Sequence, residues 1–176
     1  SYDLTSTVLH EIGHGLGFLS NAEYDGFFGT GYIIQPTPYD AYVQLPDGRL
    51  FTDFCARSVD LGKAMTSPLF WSGPLGVAAN NGVKPKLYSP SAYEDGSSIT
   101  HLDEATFKST SLDSVMTPVL DPGEVFRSPG AIALAMIDSQ DHELGAQFDV
   151  DAAQGLCKAD LVEMPFYDPK KNIAKS

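Results

Sequence analysis

Apolar residues near the start of the chain recur at the spacing of an α-helix: Leu4, Val8, Leu9, Ile12, Leu16 and Leu19. This period places them on one stripe of the helix surface, which is typical of a helix packed on a core. Asp3, Thr5 and Ser6 are suitable N-caps, and Gly17 is a suitable point for the chain to turn away. The pattern predicts a buried helix over residues 4–20.

The middle of the chain predicts short elements. Two apolar-rich runs, 39–45 and 49–54, flank Pro46-Asp47-Gly48, and an Asp-Gly pair in that setting indicates a β-hairpin. A short helix is expected over 56–66, and short strands and turns are expected over 70–88. The sequence contains no internal repeat.

The last third of the chain predicts one more helix and an irregular end. Residues 89–98 are rich in Ser, Pro and Gly and indicate a loop. Ser128-Pro129 can start a helix that reaches about Ser139. We expect one domain over residues 1–156, followed by a tail over 157–176.

Composition narrows the class of protein. The 176 residues fit a single domain with a real core, and 43% of them are hydrophobic. With 23 acidic against 11 basic residues the net charge is −12, which argues against a nucleic-acid partner. No apolar run approaches the roughly 18 residues of a membrane span. Asp121-Pro122-Gly123-Glu124 is either a calcium loop or a plain turn.

The chain contains two cysteines, Cys55 and Cys157, whose separation excludes a C-x-x-C motif. They can form one disulfide that closes a long loop, or they can be two buried thiols. We expect the disulfide, which would imply an oxidising compartment and a secreted or cell-surface protein.

The strongest chemical signal is His10-Glu11-Ile12-Gly13-His14, an H-E-x-x-H motif on the first predicted helix. Residues four apart lie on one helix face, so both imidazoles can bind one zinc ion. Glu11 is then placed to act as general base toward a zinc-bound water. The motif predicts zinc-assisted hydrolysis, most often of a peptide bond. A chance match on a solvated helix is the alternative.

A catalytic zinc needs a third protein ligand. The compact pattern H-E-x-x-H-x-x-G-x-x-H would place it where this chain has Ser20, a poor ligand. His101 is the better candidate, since it follows a Gly/Ser turn and precedes acidic residues that can orient it. His142 lies in a highly charged stretch and is expected on the surface. Carboxylates remain as alternative ligands: Asp103 or Glu104, and more weakly Glu94 and Asp95.

These motifs together resemble a known family. The order H-E-x-x-H-x-x-G-F, a long insertion, a Thr-His followed by acidic residues, and a Met116-Thr117-Pro118 turn is similar to the leishmanolysin family of metzincins. It is also similar to secreted bacterial zinc peptidases with a Gly-Ser-Ser-x-x-His element. The resemblance covers about residues 5–20 and 94–140, and the dense cysteine framework of leishmanolysin is missing.

The resemblance implies an α+β fold, that of a metzincin-like zincin catalytic domain, in which a sheet precedes the active-site helix. We expect that sheet to lie upstream of these residues, and the alternative to an active domain is a fragment that is inactive without the upstream residues. It implies that His10, His14 and His101 bind zinc, that Glu11 is the general base and that Met116 forms the hydrophobic base of the site. The family comparison also places residues 119–127 along the substrate, with an apolar preference. The implied activity is that of a secreted zinc endopeptidase acting on a protein or peptide, with an upstream segment of the same precursor as a further partner.

Two other functions remain open from the residues. One is a non-catalytic, zinc-stabilised binding or adhesion module that keeps the motif without a substrate cleft. The other is a zinc hydrolase that acts on an amide outside peptides, which nothing in the sequence excludes.

Overall fold

A computed structural model describes residues 2–108, 111–138, 147–152 and 155–160. The chain divides into two compact units, Ser1–Gln140 and Asp141–Ser176. In the described part of the chain, no helix is long and apolar enough to cross a membrane. The fold is mixed α/β with small antiparallel sheets, so the coarse fold-class prediction is confirmed.

The first unit contains four α-helices and six short strands among its described residues. The helices are α1 (Leu4–Gly15), α2 (Val59–Met65), α3 (Pro74–Ala79) and α4 (Ala131–Asp138). The strands are β1 (Glu23–Asp25), β2 (Thr30–Tyr32), β3 (Val43–Gln44), β4 (Arg57–Ser58), β5 (Leu69–Trp71) and β6 (Lys86–Leu87). They form two antiparallel sheets with the strand orders β1-β2-β4 and β3-β5-β6.

A single apolar core lies beneath these sheets. Its largest fully buried side chains include Trp71, Tyr39, Phe18, Phe51, Leu87 and Met116. Strand β5 pairs with β3 through Val43 and Trp71 and with β6 through Leu69 and Leu87. An isolated bridge between Leu87 and Leu102 then adds the segment that carries His101 to the edge of this sheet. The position of His101, the candidate third ligand, is thus fixed by its attachment to the core sheet.

The first helix differs from its prediction in length and in orientation. It ends at Gly15, and the amide of Leu16 bonds to the carbonyls of His14 and Ile12. Gly17 then adopts a φ of 109°, which a side chain would disfavour. Phe18 returns into the core with no exposed surface. The helix thus ends five residues earlier than predicted, whereas the chain turns away at Gly17, as the sequence indicates.

The expected burial of the apolar stripe on α1 is wrong. Leu4 is 77% exposed, Leu16 is 55% exposed, and Val8 and Ile12 are about half exposed. The buried positions of the helix are Ser6 and Gly13, on the opposite side. The helix therefore packs through the face that carries the two histidines, because that face contacts the 3₁₀ helix Leu112–Met116.

Other predicted elements appear in shorter form. The Pro46-Asp47-Gly48 turn is present, with Gly48 at a φ of 94° and the Leu45 amide bonded to the Arg49 carbonyl at 2.9 Å. Its second arm forms a 3₁₀ helix, Phe51–Asp53, because the Asp53 carboxylate accepts the Leu50 amide. The helices predicted over 56–66 and 128–139 correspond to α2 and α4.

The second unit contains a β-hairpin among its described residues. Strand β7 (Gln147–Ala152) pairs with β8 (Gly155–Asp160) in antiparallel register from Gln147 opposite Asp160 to Ala152 opposite Gly155. The predicted domain boundary after residue 156 falls inside β8, and the division into a domain and a tail stays a prediction.

Candidate metal centre

Three histidines from distant parts of the chain meet at one point. His10 and His14 lie one turn apart on α1, and His101 is buried at the end of the Gly/Ser turn that follows β6. In the described residues, these three are the group whose ligand atoms have metal-binding spacing. The structure thus brings together the three residues that the sequence singles out as ligands.

The turn that presents His101 is held in an unusual conformation. Ile99, two residues before it, has a φ of 75°, which is rare for a β-branched residue and strained. The side chain of Ile99 is fully buried, its amide bonds to the Tyr88 carbonyl at 2.7 Å, and its carbonyl accepts the Tyr39 hydroxyl at 2.8 Å. These contacts fix the backbone from which the His101 ring projects.

Each imidazole is oriented by a backbone carbonyl. The Nδ1 atoms of His10, His14 and His101 lie 2.7, 2.8 and 2.8 Å from the carbonyl oxygens of Val115, Phe18 and Ser97, respectively. A carbonyl oxygen only accepts, so each Nδ1 carries the proton and donates it. In the neutral rings, every Nε2 is consequently a lone-pair atom, the form that binds metals.

The three Nε2 atoms converge. They are 3.0 Å apart between His14 and His10, 3.2 Å between His101 and His10, and 3.3 Å between His14 and His101. Nitrogens bound tetrahedrally to one zinc at 2.0–2.1 Å would be about 3.3 Å apart. None of these contacts is a hydrogen bond between neutral rings, since each proton is already on Nδ1. The donor set therefore fits a small divalent cation and has one face open.

The local environment favours the neutral form of two of these rings, His10 and His101. Burial, with smaller effects from the neighbouring histidines, lowers the pKa of His101 to about 4. Burial is also the main cause that lowers the pKa of His10, and His14 adds to it. Protons therefore compete weakly with a metal for the Nε2 atoms of His10 and His101 near neutral pH.

A cavity lies beside His10 and Glu11 of α1. It has a volume of about 470 Å³, and its lining also includes Val115 of the 3₁₀ helix and Pro118, Val119 and Leu120 after that helix. His10 is the member of the histidine cluster in this lining. The Glu11 side chain is exposed, so its carboxylate can reach a molecule in the cavity. Polar groups of α1 and apolar side chains are thus combined in one pocket.

Met116 packs against α1 at Gly13, the residue before His14. It is fully buried, and a Cβ placed on Gly13 would lie only 2.5 Å from the Met116 Sδ. Glycine at position 13 therefore permits the close approach of α1 to the 3₁₀ helix. The role of Met116 as the hydrophobic base of the site stays a prediction.

None of the alternative carboxylate ligands, Asp103, Glu104, Glu94 and Asp95, has an oxygen in the group of atoms with metal-binding spacing. Asp103 pairs with Lys86 at 3.2 Å and accepts the Thr106 hydroxyl at 2.6 Å. Glu94 accepts the Tyr88 hydroxyl at 2.9 Å. Ser20, the position of the ligand in the compact pattern, donates to Asp40 at 2.5 Å. These contacts leave His101 as the third member of the cluster; His142 lies outside the described residues.

Two further predictions concern the surface. The prediction of a disulfide between Cys55 and Cys157 is wrong, because Cys55 is an exposed free cysteine shortly before β4. The argument for an oxidising compartment is lost with it, and the extracellular location stays a prediction. In the 121–124 turn, Glu124 accepts the Asp121 amide at 2.8 Å, so one carboxylate oxygen of the candidate calcium loop closes the turn itself.

Comparison with known proteins gives one family match. Residues 127–168 match the family model described as the glycine cleavage T-protein C-terminal barrel domain. The match spans fewer than half of the 176 residues and contains none of the three histidines or Glu11. No curated protein and no solved structure matches the chain.

The family match corrects three predictions. The kinship with metzincins and the leishmanolysin family is contradicted, because the matching family is a different one with a non-protease fold. The assignment as a zinc metalloendopeptidase is contradicted on the same ground, and so is the description as a protease. The physical reason is that H-E-x-x-H specifies the geometry of a metal site on a helix, which unrelated folds can share.

Sequence reasoning missed the groups that orient the site. The rings are oriented by the backbone carbonyls of Val115, Phe18 and Ser97. Because every residue type has a backbone carbonyl, no side-chain pattern in the sequence indicates these contacts. The ion pair between Asp3 and Arg127 was also missed, although Asp3 was considered as a helix cap. Opposite charges at positions 3 and 127 carry no local signal, because the contact spans most of the chain.

Proposed function

We propose that His10, His14 and His101 bind one zinc ion and that the chain is a zinc-dependent hydrolase. The convergence of three neutral Nε2 atoms at 3.0–3.3 Å carries this proposal. Three lone pairs at this distance repel one another unless a cation lies between them. Zinc is favoured over harder cations because all three donors are imidazole nitrogens and their spacing suits tetrahedral binding.

The chemistry divides between the metal and the chain. A zinc ion held by the three imidazoles would lower the pKa of a water ligand and polarise a substrate carbonyl. Glu11 lines the cavity together with His10, where its carboxylate would accept a proton from the attacking water and deliver it to the leaving group. The carbonyl-bonded Nδ1 atoms keep the ligand rings in one orientation throughout.

The proposed substrate is an amide outside the peptide class, with an apolar group beside its carbonyl. Hydrolysis at such a bond needs a polarised carbonyl and a general base, and the donor set with Glu11 can supply both. The apolar side of the cavity, at Val115, Pro118 and Val119, suits the apolar group. The proposed substrates do not include peptides, because the matching family has a non-protease fold.

The test compares the wild-type chain with Glu11→Gln, using Glu23→Gln, at an exposed position outside this cavity, as the control. We expect both variants to bind zinc as the wild type does. Hydrolysis of acyl anilides, measured from the released aniline, should fall by about 10²–10⁴-fold in Glu11→Gln alone. Retained turnover in Glu11→Gln, or no chelator-sensitive turnover in the wild type, would refute the hydrolase.

A second candidate is a non-catalytic, metal-stabilised binding module. The exposed apolar stripe of α1, at Leu4, Val8, Ile12 and Leu16, favours it, because such faces are used for contacts between proteins. Zinc would then fix α1 to the segment at His101. If the chain binds zinc but hydrolyses none of the acyl anilides, the result would support this candidate over the hydrolase.

A further inference from the structure

The segment that forms the apolar wall of the cavity is fixed at two points. We call residues 117–127 the wall segment; its first four residues line the cavity that Glu11 also lines. Thr117 at its start is buried, and both its amide and its hydroxyl bond to the Ser114 carbonyl, at 3.1 and 2.8 Å. This end is therefore rigid with respect to the 3₁₀ helix.

The far end of the wall segment returns to α1. The Phe126 amide donates to the Ser6 hydroxyl oxygen at 2.7 Å, and both residues are buried. The Ser6 hydroxyl donates in turn to the Asp3 carboxylate at 2.7 Å. Because a carboxylate only accepts, Asp3 directs the Ser6 proton to itself and leaves an oxygen lone pair for Phe126.

Arg127 also binds Asp3, and we call the contacts among Asp3, Ser6, Phe126 and Arg127 the junction. Its Nη1 and Nη2 donate to the two oxygens of Asp3 at 2.6 and 3.0 Å, which is a bidentate pair. The same Nη1 also donates to the Phe126 carbonyl at 2.8 Å. The hydrogen bonds from Arg127 and Ser6 hold the pKa of Asp3 well below its usual range, so the pair stays charged in neutral buffers.

We propose that Asp3 and Arg127 are positioning residues that hold the wall segment against α1 and thereby set the width of the cavity for an apolar group. The proposal rests on the proposed function in its choice of substrate, and it concerns the apolar subsite alone. Asp3 lies two turns before His10 on α1, so the junction reaches the cavity without touching the metal ligands. Loosening it should widen the cavity and weaken apolar binding, while zinc binding stays unchanged.

The test uses variants that keep the helix cap. Asp3→Asn retains an N-cap side chain and removes the charge, and Arg127→Gln removes the other partner. Arg127→Lys keeps the charge and loses the bidentate geometry. Arg49→Gln is the control, because Arg49 forms an exposed ion pair with Asp47 at 2.8 Å outside the cavity lining.

Binding is measured without any reaction, by titrating the full chain with 1-hexanol and following the methyl signals of Val119 by NMR. The metal-free and zinc-loaded proteins are both titrated. We expect saturable binding to the wild type and to Arg49→Gln, and at least fivefold weaker binding to Asp3→Asn and Arg127→Gln. The double variant should match either single variant, since both remove the same pair. The affinity of Arg127→Lys for hexanol should lie between those of the wild type and of Arg127→Gln.

Three results would overturn the proposal: no saturable hexanol binding to the wild type, wild-type affinity in Arg127→Gln, or equal weakening in Arg49→Gln. A variant that lowers hexanol affinity only by unfolding would show a loss of thermal stability and of zinc affinity, which also overturns it. Failure of the hydrolase proposal would instead appear as absent zinc binding or absent turnover, with the hexanol result unaffected.

Discussion

At the scale of single residues, protonation decides whether the three histidines can act together. The Nδ1 proton of each ring is committed to a carbonyl of Val115, Phe18 or Ser97. A second proton on any ring would have to sit on Nε2, within 3.3 Å of two other nitrogens. Burial lowers the pKa of His101 to about 4, so the Nε2 of this ring keeps its lone pair for a metal well below neutral pH.

The first prediction is that the metal-free protein loses stability as the pH falls below about 6.5. The pKa of His101 is about 4 in the folded chain and 6.5 in the unfolded chain, so the unfolded state binds more protons between these values. Stability therefore rises with pH across this window, by at most about 1.4 kcal/mol per pH unit from one histidine. Urea unfolding in the presence of a chelator, from pH 7 to pH 5, measures it.

His101→Gln is the control for this pH dependence. It removes the titrating ring, so its stability should depend less steeply on pH over the same range, whatever its absolute stability. An unchanged slope in His101→Gln would assign the acid sensitivity to other groups and contradict the lowered pKa of His101.

At the scale of elements, the contact between α1 and the 3₁₀ helix carries the site. We predict that Gly13→Ala destabilises the chain by about 1–3 kcal/mol, because the added Cβ would lie 2.5 Å from the Met116 Sδ in a filled core. Gly15→Ala is the matched control on the same helix, since its Cβ meets nothing within 4 Å. It should instead gain up to about 1 kcal/mol in helix propensity. Chemical unfolding measures both, and equal effects would contradict this packing.

The orientation of α1 gives a prediction about its outer face. Val8→Gln and Ile12→Gln should each change the free energy of unfolding by no more than about 0.5 kcal/mol, because both side chains are about half exposed. Leu9→Gln, on a partly buried side chain that packs on the core, should cost more, about 1–3 kcal/mol. Large losses at Val8 and Ile12 would show that the apolar stripe is covered.

These elements also show what the sequence can predict. The spacing of His10 and His14 fixes their common helix face, and the helix pattern finds α1, α2 and α4 within a few residues. The direction in which α1 packs could not be predicted, because Ser6 and Gly13 are buried only through contacts with residues over 100 positions away. The strained backbone at Ile99 depends likewise on Tyr39, so no local pattern indicates it.

At the scale of the whole molecule, the cluster exists only in the folded chain. His14 and His101 are 87 residues apart in sequence, and the carbonyls that orient the rings come from three separate segments. A metal bound here therefore stabilises the fold by its own binding free energy. The match to the glycine cleavage T-protein C-terminal barrel domain covers residues 127–168 and none of the three histidines. The match therefore carries no information about the metal centre.

Zinc coordination in solution tests the central claim most directly. X-ray absorption at the zinc edge, combined with calorimetric titration, should give one zinc per wild-type chain with three imidazole nitrogens at about 2.0–2.1 Å. His101→Ala should lose one of these nitrogens and bind zinc at least 100-fold more weakly, while His142→Ala should match the wild type. A wild-type chain that does not retain zinc, or a His101→Ala variant with unchanged coordination, would contradict the three-histidine centre.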